Sequence, residues 1–178
     1  FEFDGTLKWS FSPAILPYGD LDSMDVNYDG IEDLLIGPGS NGMSVYNPNG
    51  TEIWTITPGF TVTNPDFLDM NDDGIAEYVI VHHTSTQGGN LSVFNASNGN
   101  LVWSVTDGPG SSWIAYSPTV GDFDRDGIKD IAVSSGDNTL ADLRTFNING
   151  SLIWTHTYNM GYVDATGTEI VTLDLNGD

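Results

Sequence analysis

Cysteine is absent from this 178-residue chain, which excludes disulfide scaffolds, thiol catalysis and Cys-based zinc sites. Basic residues are nearly as scarce. Lys and Arg total 4 against 25 Asp and Glu, a formal charge of −21. Such a surface repels phosphate backbones and anionic lipid, which argues against nucleic-acid binding. It also disfavours an enzyme that must neutralise an anionic substrate. No apolar run approaches the roughly 18 residues of a membrane span, so no membrane insertion is expected. No signal-peptide pattern opens the chain, and Phe1 rather than Met stands first, as expected of a processed or excised piece. A helical period is missing as well. Large apolar side chains are plentiful: 5 Trp, 8 Phe and 7 Tyr, with 39% apolar residues overall, are enough to build a core.

Two short patterns recur. The first reads Asp4-Gly5-Thr6-Leu7-Lys8-Trp9, Asn49-Gly50-Thr51-Glu52-Ile53-Trp54, Asn98-Gly99-Asn100-Leu101-Val102-Trp103 and Asn149-Gly150-Ser151-Leu152-Ile153-Trp154, with the Trp residues 45, 49 and 51 positions apart. The second is an acidic loop of nine residues. It runs over 25–33, 69–77 and 122–130, with a fourth copy starting at Asp174; the first Asp residues are 44, 53 and 52 apart. Two independent motifs at one period near 50 residues define a repeat. Within each period, an apolar run follows the acidic loop (Leu34-Leu35-Ile36, Tyr78-Val79-Ile80-Val81, Ile131-Ala132-Val133) and reads as a strand buried on both faces. A strand ending in an aromatic residue, an Asn-Gly hairpin turn and the Trp strand complete the unit.

Four-stranded units at this period predict an all-β fold, a β-propeller segment with four-stranded blades. The expected blades are residues 12–57, 58–106 and 107–157, with a split blade from 158–178 plus 1–11. This phase suits a segment of a longer propeller. A small closed ring, or an open edge completed by another chain through strand addition, is the alternative.

In each acidic loop, positions 1, 3, 5 and 9 carry Asp, Asn or Glu and position 6 is Gly, so alternate side chains of a tight turn converge on one point. Position 7 is Ile, whose carbonyl is free to serve as a ligand while its side chain is expected to face the core. All-oxygen ligands with several carboxylates suit Ca²⁺ better than Mg²⁺. Asp-rich turns that merely cap their own backbone are the plain alternative. Against it stand three complete copies in register, each acidic at position 9, and the 12 of 25 acids gathered at positions 1, 3, 5 and 9 once the truncated fourth copy is included, whose mutual repulsion a cation offsets.

These loops and this period resemble the FG-GAP repeats of integrin α-subunit propellers and of secreted bacterial and archaeal propellers. The Phe-Gly and Gly-Ala-Pro sequences that name the family are mostly absent, with Gly37-Pro38-Gly39 the nearest match. The resemblance implies calcium ligation by Asp25, Asn27, Asp29, Ile31 and Asp33; by Asp69, Asn71, Asp73, Ile75 and Glu77; and by Asp122, Asp124, Asp126, Ile128 and Asp130. Asp174, Asn176 and Asp178 match a fourth, truncated loop. The Asn-Gly-x-x-x-Trp strands look like the Trp-docking motif of quinoprotein-type propellers, which implies Trp9, Trp54, Trp103 and Trp154 packing between neighbouring blades rather than stacking sugars.

The remaining candidates are weaker. Trp113 lies outside the repeat, in an inter-blade loop suited to binding or to core packing. His82 and His83 are adjacent after a strand and point to opposite faces, which prevents joint chelation; with His156 alone, no Ser-His-Asp constellation can be argued. Asn49, Asn90, Asn95 and Asn149 head glycosylation sequons. No catalytic residue stands out. The expected function is therefore a non-catalytic extracellular or cell-surface module, calcium-stabilised, that recognises a protein or glycan or serves adhesion or scaffolding. A calcium-dependent polysaccharide lyase or hydrolase is one alternative, for which only Lys8, Arg125, Lys129 and Arg144 supply positive charge. A structural subunit that self-associates through an open blade edge into a surface layer or filament is the other.

Overall fold

A computed structural model describes residues 6–7, 10, 21–39, 42–57, 60–61, 66–70, 74, 77–83, 89–106, 114–115, 118–136 and 140–159. These form β-strands, turns and bends, with no helix among them. In chain order the strands are β1 (Leu21–Met24), β2 (Asp33–Gly39), β3 (Gly42–Tyr46), β4 (Glu52–Ile56), β5 (Phe60–Thr61), β6 (Asp66–Leu68), β7 (Glu77–His83), β8 (Gly89–Asn95), β9 (Leu101–Thr106), β10 (Ile114–Ala115), β11 (Thr119–Gly121), β12 (Asp130–Gly136), β13 (Leu140–Phe146) and β14 (Leu152–Asn159).

They build three antiparallel sheets, one per repeat. The first is β1-β2-β3-β4. The second and third follow the same order but have five strands among the described residues: β5 and β6, or β10 and β11, both pair with the next long strand. Pro118, which has no N–H to give the ladder, stands directly before β11. The four-strand unit expected from the sequence is met by the first sheet, while the other two have five strands each.

The apolar runs of β2 and β12 are buried as expected: Leu35, Ile36, Ile131, Ala132 and Val133 all sit in the core. Two core clusters exist, and each bridges consecutive sheets. The first joins Leu35, Met43, Val45 and Trp54 to Phe94 and Ala96 of the second sheet; the next joins Met70, Leu91 and Val93 to Ile131, Val133 and Phe146 of the third.

The hairpin turns explain how the sheets dock. In the first, Gly50 N donates to Asn47 O at 2.8 Å and Asn47 N to Thr51 O at 2.8 Å; the third repeats this with Asn147, Gly150 and Ser151. The register slips at the same place in all three sheets, so each turn ends in a bulge with its glycine at positive φ. That glycine receives the preceding sheet's tryptophan. A Cβ on Gly99 would lie 3.0 Å from the Trp54 ring, and one on Gly150 would lie 2.9 Å from the Trp103 ring. The indoles also donate across the seam, Trp54 Nε1 to Ala96 O at 2.7 Å and Trp103 Nε1 to Ile148 O at 2.6 Å. Inter-sheet packing therefore holds for Trp54 and Trp103. Trp154 is 37% exposed, and Trp9 and Trp113 lie outside the described residues. Gly150→Ala should destabilise the fold, by roughly 1–3 kcal/mol for overpacking the indole and about 1 kcal/mol more for a left-handed alanine. Chemical denaturation checks this.

Candidate metal centres in the acidic loops

The three complete acidic loops occupy one structural position. Each connects the opening strand of its sheet to the long central strand: β1 to β2, β6 to β7, and β11 to β12. Position 6 is glycine with φ of 84–85° in all three (Gly30, Gly74, Gly127), a conformation that L residues rarely adopt. Position 4 is also left-handed, at Tyr28 (φ 60°) and Arg125 (φ 65°). Nothing in those two side chains announces it; the winding of the loop imposes it.

The first and third loops are wound by the same bonds. Asp25 accepts from Asp29 N and Gly30 N, Asn27 Oδ1 from Asp29 N, and Asp29 Oδ1 from Ile31 N, at 2.8–3.1 Å. Asp122 accepts from Arg125 N, Asp126 N and Gly127 N, Asp124 from Asp126 N, and Asp126 from Ile128 N, at 2.7–3.2 Å. In the second loop Asp69 accepts from Gly74 N at 2.8 Å. Asn71, Asp73 and Ile75 lie outside the described residues, as do Asp174, Asn176 and Asp178.

Position 9 differs from the rest. Asp33, Glu77 and Asp130 are buried at 1%, 5% and 2% exposure. One carboxylate oxygen of each accepts the backbone N–H of position 2: Val26 at 3.2 Å, Met70 at 2.9 Å and Phe123 at 3.0 Å. Val26 and Met70 are core residues, so this bond ties the loop to the packing beneath it. The other oxygen of Asp33, Oδ1, is buried with no hydrogen-bond partner. In the third loop, Asp122, Asp124 and Asp130 each bring one carboxylate oxygen within 4.8 Å of the others. Lys129 Nζ donates to Asp69 O at 3.2 Å, linking the second and third loops across the seam.

One expectation is corrected. The two described position 7 side chains do not face the core: Ile31 is 57% and Ile128 47% exposed. Position 2 supplies the apolar anchor instead, because the glycine before position 7 turns the chain outward.

The electrostatics match this geometry. Burial pushes the Asp33 carboxyl up, with Asp29 and Asp25 adding to it against the Val26 bond. Burial likewise raises Asp130, with Asp124 and Asp126 adding and the Phe123 bond opposing. In chelated protein the folded state therefore holds protons at pH values above the ordinary 3.8, where the unfolded chain has released them. Stability from these groups falls as pH rises through that window. Acidification from neutrality towards 3.8 should thus raise the melting temperature in EDTA. In calcium it should lower it, because protons then compete with a bound ion. Melting curves across pH in both media check the pair; equal signs would contradict it.

These sheets and loops define an all-β protein of propeller-like fold whose repeats carry acidic hairpin loops. Residues 69–133, which contain the second and third loops, match the FG-GAP-like repeat family. The chain is 27% identical to human Protein FAM234B over an alignment that covers 65% of this chain and 21% of that protein, so it spans about a fifth of that relative's length. Among solved structures it resembles rhamnogalacturonan lyase YesW (TM-score 0.56, 18% identity, 78% of this chain, 34% of the lyase chain). It likewise resembles the exotype rhamnogalacturonan lyase YesX (TM-score 0.55, 18% identity, 78% of this chain, 32% of that chain). At this identity the likeness to the two lyases is one of fold.

Proposed function

We propose that this chain is part of a calcium-stabilised β-propeller, acting outside the cell or at its surface as a recognition module for a protein or glycan. Residues 12–57, 58–106 and 107–157 form its blades, and 158–178 with 1–11 belong to incomplete ones. One observation carries the calcium reading: Asp33 Oδ1 is buried with no hydrogen-bond partner, and the Asp29 and Asp25 carboxylates act on it. Turn-capping accounts for positions 1, 3 and 5, whose oxygens accept backbone N–H groups. It leaves Asp33 Oδ1 in the first loop without a partner, and an unsatisfied buried acceptor costs about 1–3 kcal/mol. A hard cation with all-oxygen ligands satisfies it. Asp25, Asn27, Asp29 and Asp33 would hold one ion and Asp122, Asp124, Asp126 and Asp130 another, with the Ile31 and Ile128 carbonyls available. Asp69, Asn71, Asp73 and Glu77 with the Ile75 carbonyl would hold a third, and Asp174, Asn176 and Asp178 would begin a fourth site. Bound calcium supplies charge neutralisation and crosslinking of each loop. The millimolar calcium outside cells fills even weak sites.

Calorimetric titration of EDTA-stripped, dialysed protein tests the reading. Calcium should bind at the complete loops, and Asp126→Ala should remove one site and lower the calcium-loaded melting temperature. Absence of binding heat together with an unmoved melting temperature would refute it.

The fold likeness to two rhamnogalacturonan lyases favours a second reading, a glycan-cleaving propeller. Its positive charge is limited. Arg144 is paired with Asp142 at 2.9 Å, and Lys129 is committed to the seam. Incubation with rhamnogalacturonan in calcium, followed by the ultraviolet absorbance of the unsaturated product, decides between them.

A further inference from the structure

A cavity of about 420 Å³ is lined from both the first and the second sheet. Ile56 and Thr57 at the end of β4 contribute to it, as do Asn90 and the buried Ser92 and Phe94 of β8. The exposed Asn100 and Ser104 complete its polar lining. Its size falls within the roughly 300–1,000 Å³ of small-molecule sites. In a chain with 25 acids and 4 bases, none of the residues lining it is ionisable. The Ser92 and Ser104 hydroxyls lie 2.8 Å apart. Asn90 Oδ1 is buried with no hydrogen-bond partner. No bond on that oxygen fixes the amide, which carries one acceptor and two donors.

The third sheet is built differently at the same positions. Phe94 packs on the first sheet and Phe146 on the second. Residues two and four before each share its face of the strand: Ser92 and Asn90 in β8, Arg144 and Asp142 in β13. The register agrees, since Ser92 pairs with Ser104 and Arg144 with Thr155, each one step from its sheet's tryptophan. Arg144 and Asp142 form an ion pair at 2.9 Å. Small neutral side chains thus stand in the first seam where an ion pair stands in the second, so the repeat itself does not dictate this lining.

We propose that the cavity binds an uncharged sugar unit of a glycan. Hydroxyl and amide groups at its edge match sugar hydroxyls as donors and as acceptors, and Ile56 with Leu101 supplies apolar surface for the C–H groups of a sugar ring. A cation would find no carboxylate in the lining, and an anion would meet a chain of −21 with no basic partner there. The inference deepens the recognition reading and rests on it. It uses no residue of the acidic loops, so it is independent of calcium ligation.

The probes are cellobiose, lactose and mannobiose, with digalacturonic acid as the acidic comparison. Each is added at millimolar concentration to the whole chain in calcium and read by saturation-transfer NMR. Transfer to a neutral disaccharide and none to digalacturonic acid is expected. Ser104→Arg places a long side chain at the cavity from an exposed position and should weaken binding at least tenfold, with the circular dichroism of the parent. Asn100→Ala adds no bulk and should weaken it severalfold, which keeps the test decisive if the first variant fails to fold. Absence of transfer to every neutral disaccharide overturns the proposal, as does a preference for digalacturonic acid. Transfer that neither variant reduces also overturns it, while leaving glycan recognition itself in place at another site.

Discussion

Chelation of calcium should lower the melting temperature of this protein by about 5–10 °C for each filled loop. An ion present at 100 times its dissociation constant adds about 2.7 kcal/mol to the folded state. For a domain of 150–250 residues each kcal/mol moves the melting temperature by roughly 2–4 °C. The physical origin is local. Without the ion, Asp122, Asp124 and Asp130 hold oxygens within 4.8 Å of one another, and Asp33 keeps an unpaired oxygen out of water. The loss should follow the logarithm of free calcium, as mass action requires, and magnesium should restore less of it because it demands stricter octahedral geometry. Differential scanning calorimetry over a calcium series is the measurement; a melting temperature indifferent to EDTA would remove calcium from the account.

Trp54→Ala should be the most damaging single change at the seams, at roughly 3–5 kcal/mol, the range for deleting a buried Phe or Trp side chain. The ring is 7% exposed, packs with Phe94 and Ala96 of the next sheet, and satisfies Ala96 O. Trp103→Ala removes a half-buried ring with the same kind of bond and should cost less; Trp154→Ala, at 37% exposure, should cost least. The order across the three variants is what matters. Equal losses would mean that each tryptophan stabilises only its own sheet.

Much of this was legible from residue spacing because the repeat multiplies each weak signal. A single Asn-Gly or Asp-rich turn is common, whereas three in register locate hairpins, central strands and candidate ligands together. The family resemblance held for residues 69–133, and Trp54 and Trp103 dock between sheets as the repeat position implied. Three features were not legible. The pairs of short strands β5 with β6 and β10 with β11 stand where one opening strand was expected, since periodicity does not resolve pairings of two or three residues. The outward Ile31 and Ile128 were misplaced because an apolar residue after glycine was read as core, while φ at Gly30 and Gly127 turns it to solvent. The placing of Asp33 and Asp130, buried with one oxygen on a backbone N–H while neighbouring loop acids act on them, is a matter of distance that spacing alone does not hold.

The seam has a consequence for how such chains change length over generations. Every unit of about 50 residues brings one indole on its last strand and one glycine turn ahead of it. Unequal crossing-over that inserts or deletes a whole unit therefore restores a matched seam at the junction without any new substitution. A break in any other phase severs indole from turn and leaves both unmatched. Whole-unit changes thus keep the joint between neighbours constant, so relatives are expected to differ by whole units more often than by fractions of one.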